Sequence, residues 1–148
     1  MDVRTFLPYS KIVKKPVAKA VPENPQTLGE HILKKRLEGG LLQKDVARIM
    51  GVSEDCITYW ENGRSNPQIR YYPAIIAFLG YYPFTHETKS IAGKLLKIRY
   101  SHGWSRKLCA KEFKVDSVTI KRLERKKMNI SREFQLKLLI VYKQITTA

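Results

Sequence analysis

The strongest constraint on this chain is that it repeats itself. Displaced by 63 residues, Leu28–Arg64 lies over Ile91–Lys127 without a gap, and nine of the 37 aligned positions are identical. These are Leu33/Leu96, Lys34/Lys97, Arg36/Arg99, Gly40/Gly103, Lys44/Lys107, Ala47/Ala110, Val52/Val115, Ile57/Ile120 and Glu61/Glu124. Unrelated sequences of average composition match at about one position in fifteen. Similar apolar residues fill other positions, among them Ile32/Leu95, Leu41/Trp104, Met50/Phe113 and Trp60/Leu123. Two copies of one small unit are therefore expected, which turns 148 residues into two very small domains rather than one ordinary domain.

The unit reads as helical. In the first copy, Thr27-Leu-Gly-Glu30 has capping-box spacing and opens a helix to about Leu37, ended by Gly39-Gly40. A second helix covers Gln43–Met50, with Val46, Ala47 and Met50 on one face. After a turn at Gly51-Val52, Ser53 caps a third helix through about Glu61, with Ile57 and Trp60 facing inward. Pro73 suits the first turn of a fourth, Ala74–Leu79, closed by Gly80. The second copy repeats the plan as 90–100, 106–113, 117–125 and about 132–145, with Ser105 and Asp116 as caps. No alternating β-rich run and no glycine-rich phosphate loop is present, so an all-α protein is expected.

Two short helices joined by a three- or four-residue turn and buttressed by others form a helix-turn-helix unit. The segments Leu28–Arg36, Leu42–Ala47, Gly51-Val-Ser53 and Tyr59-Trp-Glu-Asn-Gly-Arg64 resemble phage-repressor/Cro-type domains, also called the XRE family of bacterial regulators. The resemblance covers residues 27–80 specifically and 90–142 through the repeat. It implies two tandem lambda-repressor-like domains: 27–80, then 89–148, joined by a linker at 81–88 and preceded by a flexible basic arm at 1–26. Stretched out, the linker would reach at most about 26–29 Å.

The resemblance places the third helix of each copy in the DNA major groove, its N-terminal residues against base edges. The candidate readers are Glu54, Asp55, Thr58 and Tyr59 in the first copy and Ser117, Val118, Lys121 and Arg122 in the second. Lys121 and Arg122 suit guanine O6/N7 or nearby phosphates, and Val118 suits a thymine methyl. Two acids at the start of a reading helix fit poorly against phosphates. Glu54 either accepts from cytosine N4, or Glu54 and Asp55 only offset the helix dipole while the first copy serves structure or pairing. Gln43 and Arg106 open the second helices, where family members touch the backbone, and Lys44, Lys107, Lys111 and Lys114 extend that row. Arg64, Arg125, Lys126 and Lys127 follow the reading helices and fit a phosphate clamp. The matched pairs Arg36/Glu61 and Arg99/Glu124 are expected to bridge the first and third helices as structure. Lys114 stands where the family has glycine, which implies a strained turn.

Charge separates the copies. The formal net charge is +15, of which residues 88–148 carry +12 and residues 27–80 only +1. Such an excess points to a polyanion. The longest apolar run, Ala74–Leu79, is far short of a membrane span. Two lone cysteines, Cys56 and Cys109, read as small buried hydrophobes in a reducing compartment, and His31, His86 and His102 show no ligand spacing. No catalytic constellation, metal site, cofactor or small-molecule effector is expected. The linker aromatics Tyr71, Tyr72, Tyr81, Tyr82 and Phe84 are expected to form an inter-domain or dimer surface.

The reading that follows is a non-enzymatic, cytoplasmic, nucleoid-associated regulator of transcription that binds specific double-stranded DNA, with a homodimer left open. Its rivals are a phage or mobile-element DNA-architecture or recombination factor, and an antitoxin-like adaptor that uses one domain for protein contact.

Overall fold

The computed structural model describes residues 20–126 and 129–147, and within them the chain is helical with no strands. The expectations for the segment up to Lys19 and for Lys127 lie outside the described residues. Eight α-helices run in order among the described residues: α1 Leu28–Glu38, α2 Gln43–Met50, α3 Glu54–Glu61, α4 Tyr72–Leu79, α5 Ile91–His102, α6 Arg106–Phe113, α7 Ser117–Glu124 and α8 Arg132–Thr147. The bounds of α2 and α3 fall on those of α6 and α7 when shifted by the 63 residues of the sequence repeat.

The caps set these bounds. Thr27 accepts from the Glu30 N–H while the Glu30 carboxylate takes the Gln26 and Thr27 N–H groups, which holds that carboxyl below its usual range. Leu42 has no capping side chain, but Asp45 reaches back to the Leu42 N–H at 3.0 Å and supplies half a box. Ser53, Ser105 and Asp116 cap α3, α6 and α7. The Thr119 hydroxyl and N–H both donate to Asp116, lowering its carboxyl. Boundaries differ from expectation at α5, which runs two residues further, to His102, and at α4, which begins at Tyr72, before Pro73, and is preceded by a 3-10 turn at Ile69–Tyr71. Proline is tolerated in the first turn, so it marks a helix start only to within a residue or two.

Each half has its own core. Ile32, Val46, Met50, Ile57, Trp60, Ile75 and Leu79 pack in the first, and Leu95, Ile98, Cys109, Phe113, Ile120, Leu123, Phe134 and Leu138 in the second. Cys109 is fully buried, as its place opposite Val46 in the repeat predicts, and burial pushes its thiol up to about 12. Gly29 lets α1 close on α3, because a Cβ there would lie 1.9 Å from the Trp60 carbonyl oxygen.

The segment 81–88 does not behave as an open tether. Phe84 lies against Tyr72 of α4 and Tyr100 of α5, with ring centroids 5.0 and 4.8 Å apart, and His86 stacks on Phe84. Tyr72 also meets Tyr100 edge-on, and a Cβ at Gly103 would sit 3.0 Å from the Pro73 ring. The two halves are docked through α4 and α5. Tyr71 and Tyr81 instead serve the first half, against Trp60 and His31. Residues 20–26 are also tied down, since Lys34 donates to the Glu23 carbonyl at 2.8 Å.

Candidate nucleic-acid interface

A single carboxylate organises each helix pair. Glu61, at the end of α3, is buried and accepts from Arg36 of α1 through Nε at 2.6 Å and Nη2 at 2.8 Å. Its Oε2 also takes the Gln43 amide at 2.8 Å, and the Gln43 oxygen accepts from Thr58 at 3.0 Å. Arg36 Nη1 closes the frame on the Leu41 carbonyl. The second half repeats the device: Arg99 Nε donates to Glu124 at 2.6 Å, Arg99 Nη1 to the Trp104 carbonyl at 3.1 Å, and Arg106 Nε to Glu124 Oε2 at 2.8 Å. The first, second and third helices of each half are thereby locked together. Cutting a buried pair at one end leaves an uncompensated charge.

This frame changes the standing of three candidate residues. Gln43 and Thr58 do not stand free, because their polar atoms bond to Glu61 and to each other. Arg106 has Nε committed to Glu124, while its side chain stays half-exposed. Ser117 is half-buried at the first turn of α7. Sequence reasoning missed these links, because the approach of the second helix to the third is set by packing and not by a local signal.

The other candidates are exposed. On the first half these are Lys44, Glu54, Asp55, Tyr59 and Arg64. On the second they are Lys107, Val118, Lys121, Arg122 and Lys126. The α7 surface joins one apolar side chain to two cations, and α6 supplies Arg106 and Lys107 beside it. The α3 surface offers two acids and a tyrosine, and α2 adds the exposed Leu42 and Ile49. Lys126 is partly engaged, donating to Glu87 at 3.2 Å.

Two lysines occupy backbone positions that glycine fills in the first half. Lys114 has φ 54° where Gly51 has 67°, and Lys126 has φ 57° where Gly63 has 67°. Both are left-handed, so the strain expected at Lys114 is present.

With α2 and α3 locked at this turn and buttressed by α1 and α4, the helix-turn-helix family model matches residues 32–85. Over residues 32–85 the chain is similar to helix-turn-helix domains of the phage-repressor/Cro type. Domains of this type bind DNA. No curated protein and no solved structure matches the chain. Among the described residues, no group of His, Cys, Asp and Glu side chains is placed to hold a metal ion. No helix there is long and apolar enough to cross a membrane.

Proposed function

We propose that the protein is a sequence-specific DNA-binding regulator of transcription with two tandem helix-turn-helix domains, the second being residues 91–147. The observation that carries this reading is the solvent face of α7. Val118, Lys121 and Arg122 are exposed together on a helix held by the same Glu-centred frame as the reading helix of the first domain. Lys121 and Arg122 would meet guanine edges or phosphates, Val118 a thymine methyl, and Arg106, Lys107 and Lys126 the backbone. The phosphate term dominates affinity in such a basic domain, and base contacts set the sequence. Fixed docking of the halves lets one chain address two adjacent sites at a set spacing.

A second reading is favoured by a specific observation. The helix-turn-helix face of the first domain exposes Leu42, Ile49 and Tyr59 beside Glu54 and Asp55, which suits a protein surface better than phosphates. In that reading the first domain is an adaptor and the second holds the DNA. Genome-wide footprinting of the full chain tests both. Two half-sites at constant spacing support tandem reading, one half-site supports the adaptor arrangement, and no preferred sequence defeats both. A salt titration from about 50 to about 200 mM accompanies it, with affinity expected to fall by orders of magnitude.

A further inference from the structure

Two repeats that meet across a twofold axis make every contact twice, residue i to j and residue j to i. Between the two halves of this chain the contact runs one way. Gly103, at the exit of α5, is covered by the first half: a Cβ there would sit 3.0 Å from Pro73 Cδ and 3.1 Å from the Ile69 carbonyl oxygen. Shifted by the 63 residues of the repeat, Gly103 corresponds to Gly40 and Pro73 to Leu136. A twofold would therefore seat Leu136 on Gly40. Gly40 has the same left-handed backbone, φ 63° against 66°, yet a Cβ there meets nothing within 4 Å, and Leu136 is 54% exposed. The ring contact agrees. Tyr72 meets Tyr100 edge-on at 5.0 Å, whereas Gln135, which takes the place of Tyr72 in the repeat, is exposed.

The halves thus join head to tail, with α4 near the end of the first lying on α5 at the start of the second. Duplex DNA offers two ways to dock the same frame twice on one molecule. A dyad across its axis relates inverted half-sites, and a screw along its axis relates half-sites that run in the same direction. The Glu-centred frames of the two halves are alike, so the two dock alike, and the one-way contact removes the dyad. We infer that the chain binds an asymmetric DNA site in one polarity, its two boxes running in the same direction and not as a palindrome. This rests on the tandem reading of α3 and α7 proposed above. The boxes differ in sequence, because the outward pairs Glu54/Ser117, Asp55/Val118 and Tyr59/Arg122 share registers but not chemistry. The half that carries +12 then always lies at the same end of the site, and the salt-dependent grip on phosphates is concentrated there.

Selection by the full chain from a duplex pool randomised over about 30 bp, nearly three helical turns, supplies the two boxes. Polarity is then read with Lys44→Cys and Lys107→Cys, exposed positions that are equivalent in the repeat, each carrying an iron chelate that cuts the nearest DNA backbone. The unsubstituted chain, treated alike, gives the background from the native cysteines. The two cuts are expected on the same side of their boxes. Cuts on opposite sides mean an inverted site, which overturns the inference and leaves tandem reading intact, whereas a single box overturns both. A second variant, with Glu54→Ser, Asp55→Val, Thr58→Lys and Tyr59→Arg together, gives the first half the outward residues of the second. Engaging both tethered halves is worth about 10²–10⁴ in affinity, so this variant should bind a direct repeat of the second half's box at least about tenfold more tightly than an inverted repeat of equal spacing. An equal or reversed preference overturns the inference. Its melting temperature shows whether it is folded, and the two cysteine chains decide the polarity where it is not.

Discussion

The left-handed lysine at the α6–α7 turn gives a stability prediction whose sign follows from the backbone. Lys114 sits at φ 54°, ψ 44°, where a Cβ costs roughly 1–2 kcal/mol. Replacing it with glycine removes that penalty but adds about 0.5–1 kcal/mol of backbone entropy to the unfolded chain. Lys114→Gly should therefore stabilise by about 0.5–1 kcal/mol, raising the melting temperature by about 2–4 °C per kcal/mol for a chain of this size. The mirror change is Gly51→Lys. Nothing lies within 4 Å of a Cβ built at Gly51, so no clash interferes and only the backbone term remains. It should destabilise by about 1 kcal/mol. Lys114→Ala is the control, because it removes the same charge and keeps the Cβ. Urea titrations with thermal melts measure all three, read at unchanged m-value. If Lys114→Ala stabilises as much as Lys114→Gly, relief of repulsion within the +12 half is the cause and the backbone argument fails.

Three further outcomes are expected. Lys121→Ala and Arg122→Ala should each lose about 1–3 kcal/mol of DNA affinity per base contact and relax the preferred sequence, measured by binding to matched and scrambled sites; unchanged preference removes α7 as a reader. Glu124→Ala and Glu61→Ala should each destabilise by about 3–5 kcal/mol, because Arg99 or Arg36 is then left buried without its carboxylate, and denaturant midpoints check this. Burial and the Arg99 guanidinium hold His86 below its ordinary value of 6.5, so the unfolded chain takes up the proton first and stability is lost as pH falls below that value. His86→Phe, which keeps the stack on Phe84 and removes a buried Nε2 without a partner, should reduce the loss of stability between about pH 7 and 5 in midpoint-versus-pH measurements, the remainder coming from His31, which burial also holds below its ordinary value.

What was legible in the sequence is what local rules decide. Ser53, Ser105 and Asp116 announce their helices because a cap needs only one side chain and the N–H three residues on. Cys109 was placed in the core by its register with Val46, and Lys114 in a strained turn by its register with Gly51. The cross-helix pairs Arg36/Glu61 and Arg99/Glu124 were legible because they recur in both copies, whereas partners that change between the copies were not. Whether Gln43 faces a phosphate or Glu61 depends on the spacing of α2 and α3, which no local signal encodes. The linker was legible in part: its aromatics were expected at an inter-domain or dimer surface, and Tyr72 and Phe84 do meet Tyr100 of the other half, but the part of His86 and the turning of Tyr71 and Tyr81 to the first half depend on packing.

The shared frame explains how the two halves can differ so sharply in charge without differing in fold. Arg36, Glu61 and their counterparts Arg99 and Glu124 hold the helices from within, so the outward positions are released from structural duty. At the second-helix start, an amide in the first half becomes an arginine in the second, and either satisfies the same Glu oxygen at 2.8 Å. That substitution keeps the internal hydrogen bond and adds a cation to the surface in one step. The same logic covers Thr58 and Lys121, which share a register: the first is turned inward to Gln43, whereas the second stands in solvent. Arg106 satisfies Glu124 through Nε alone and needs no hydroxyl to hold it, so the position of Thr58 is free to become Lys121. Net charge therefore accumulates on the second half along the very positions proposed to face DNA, and the fold tolerates it because none of them carries the core.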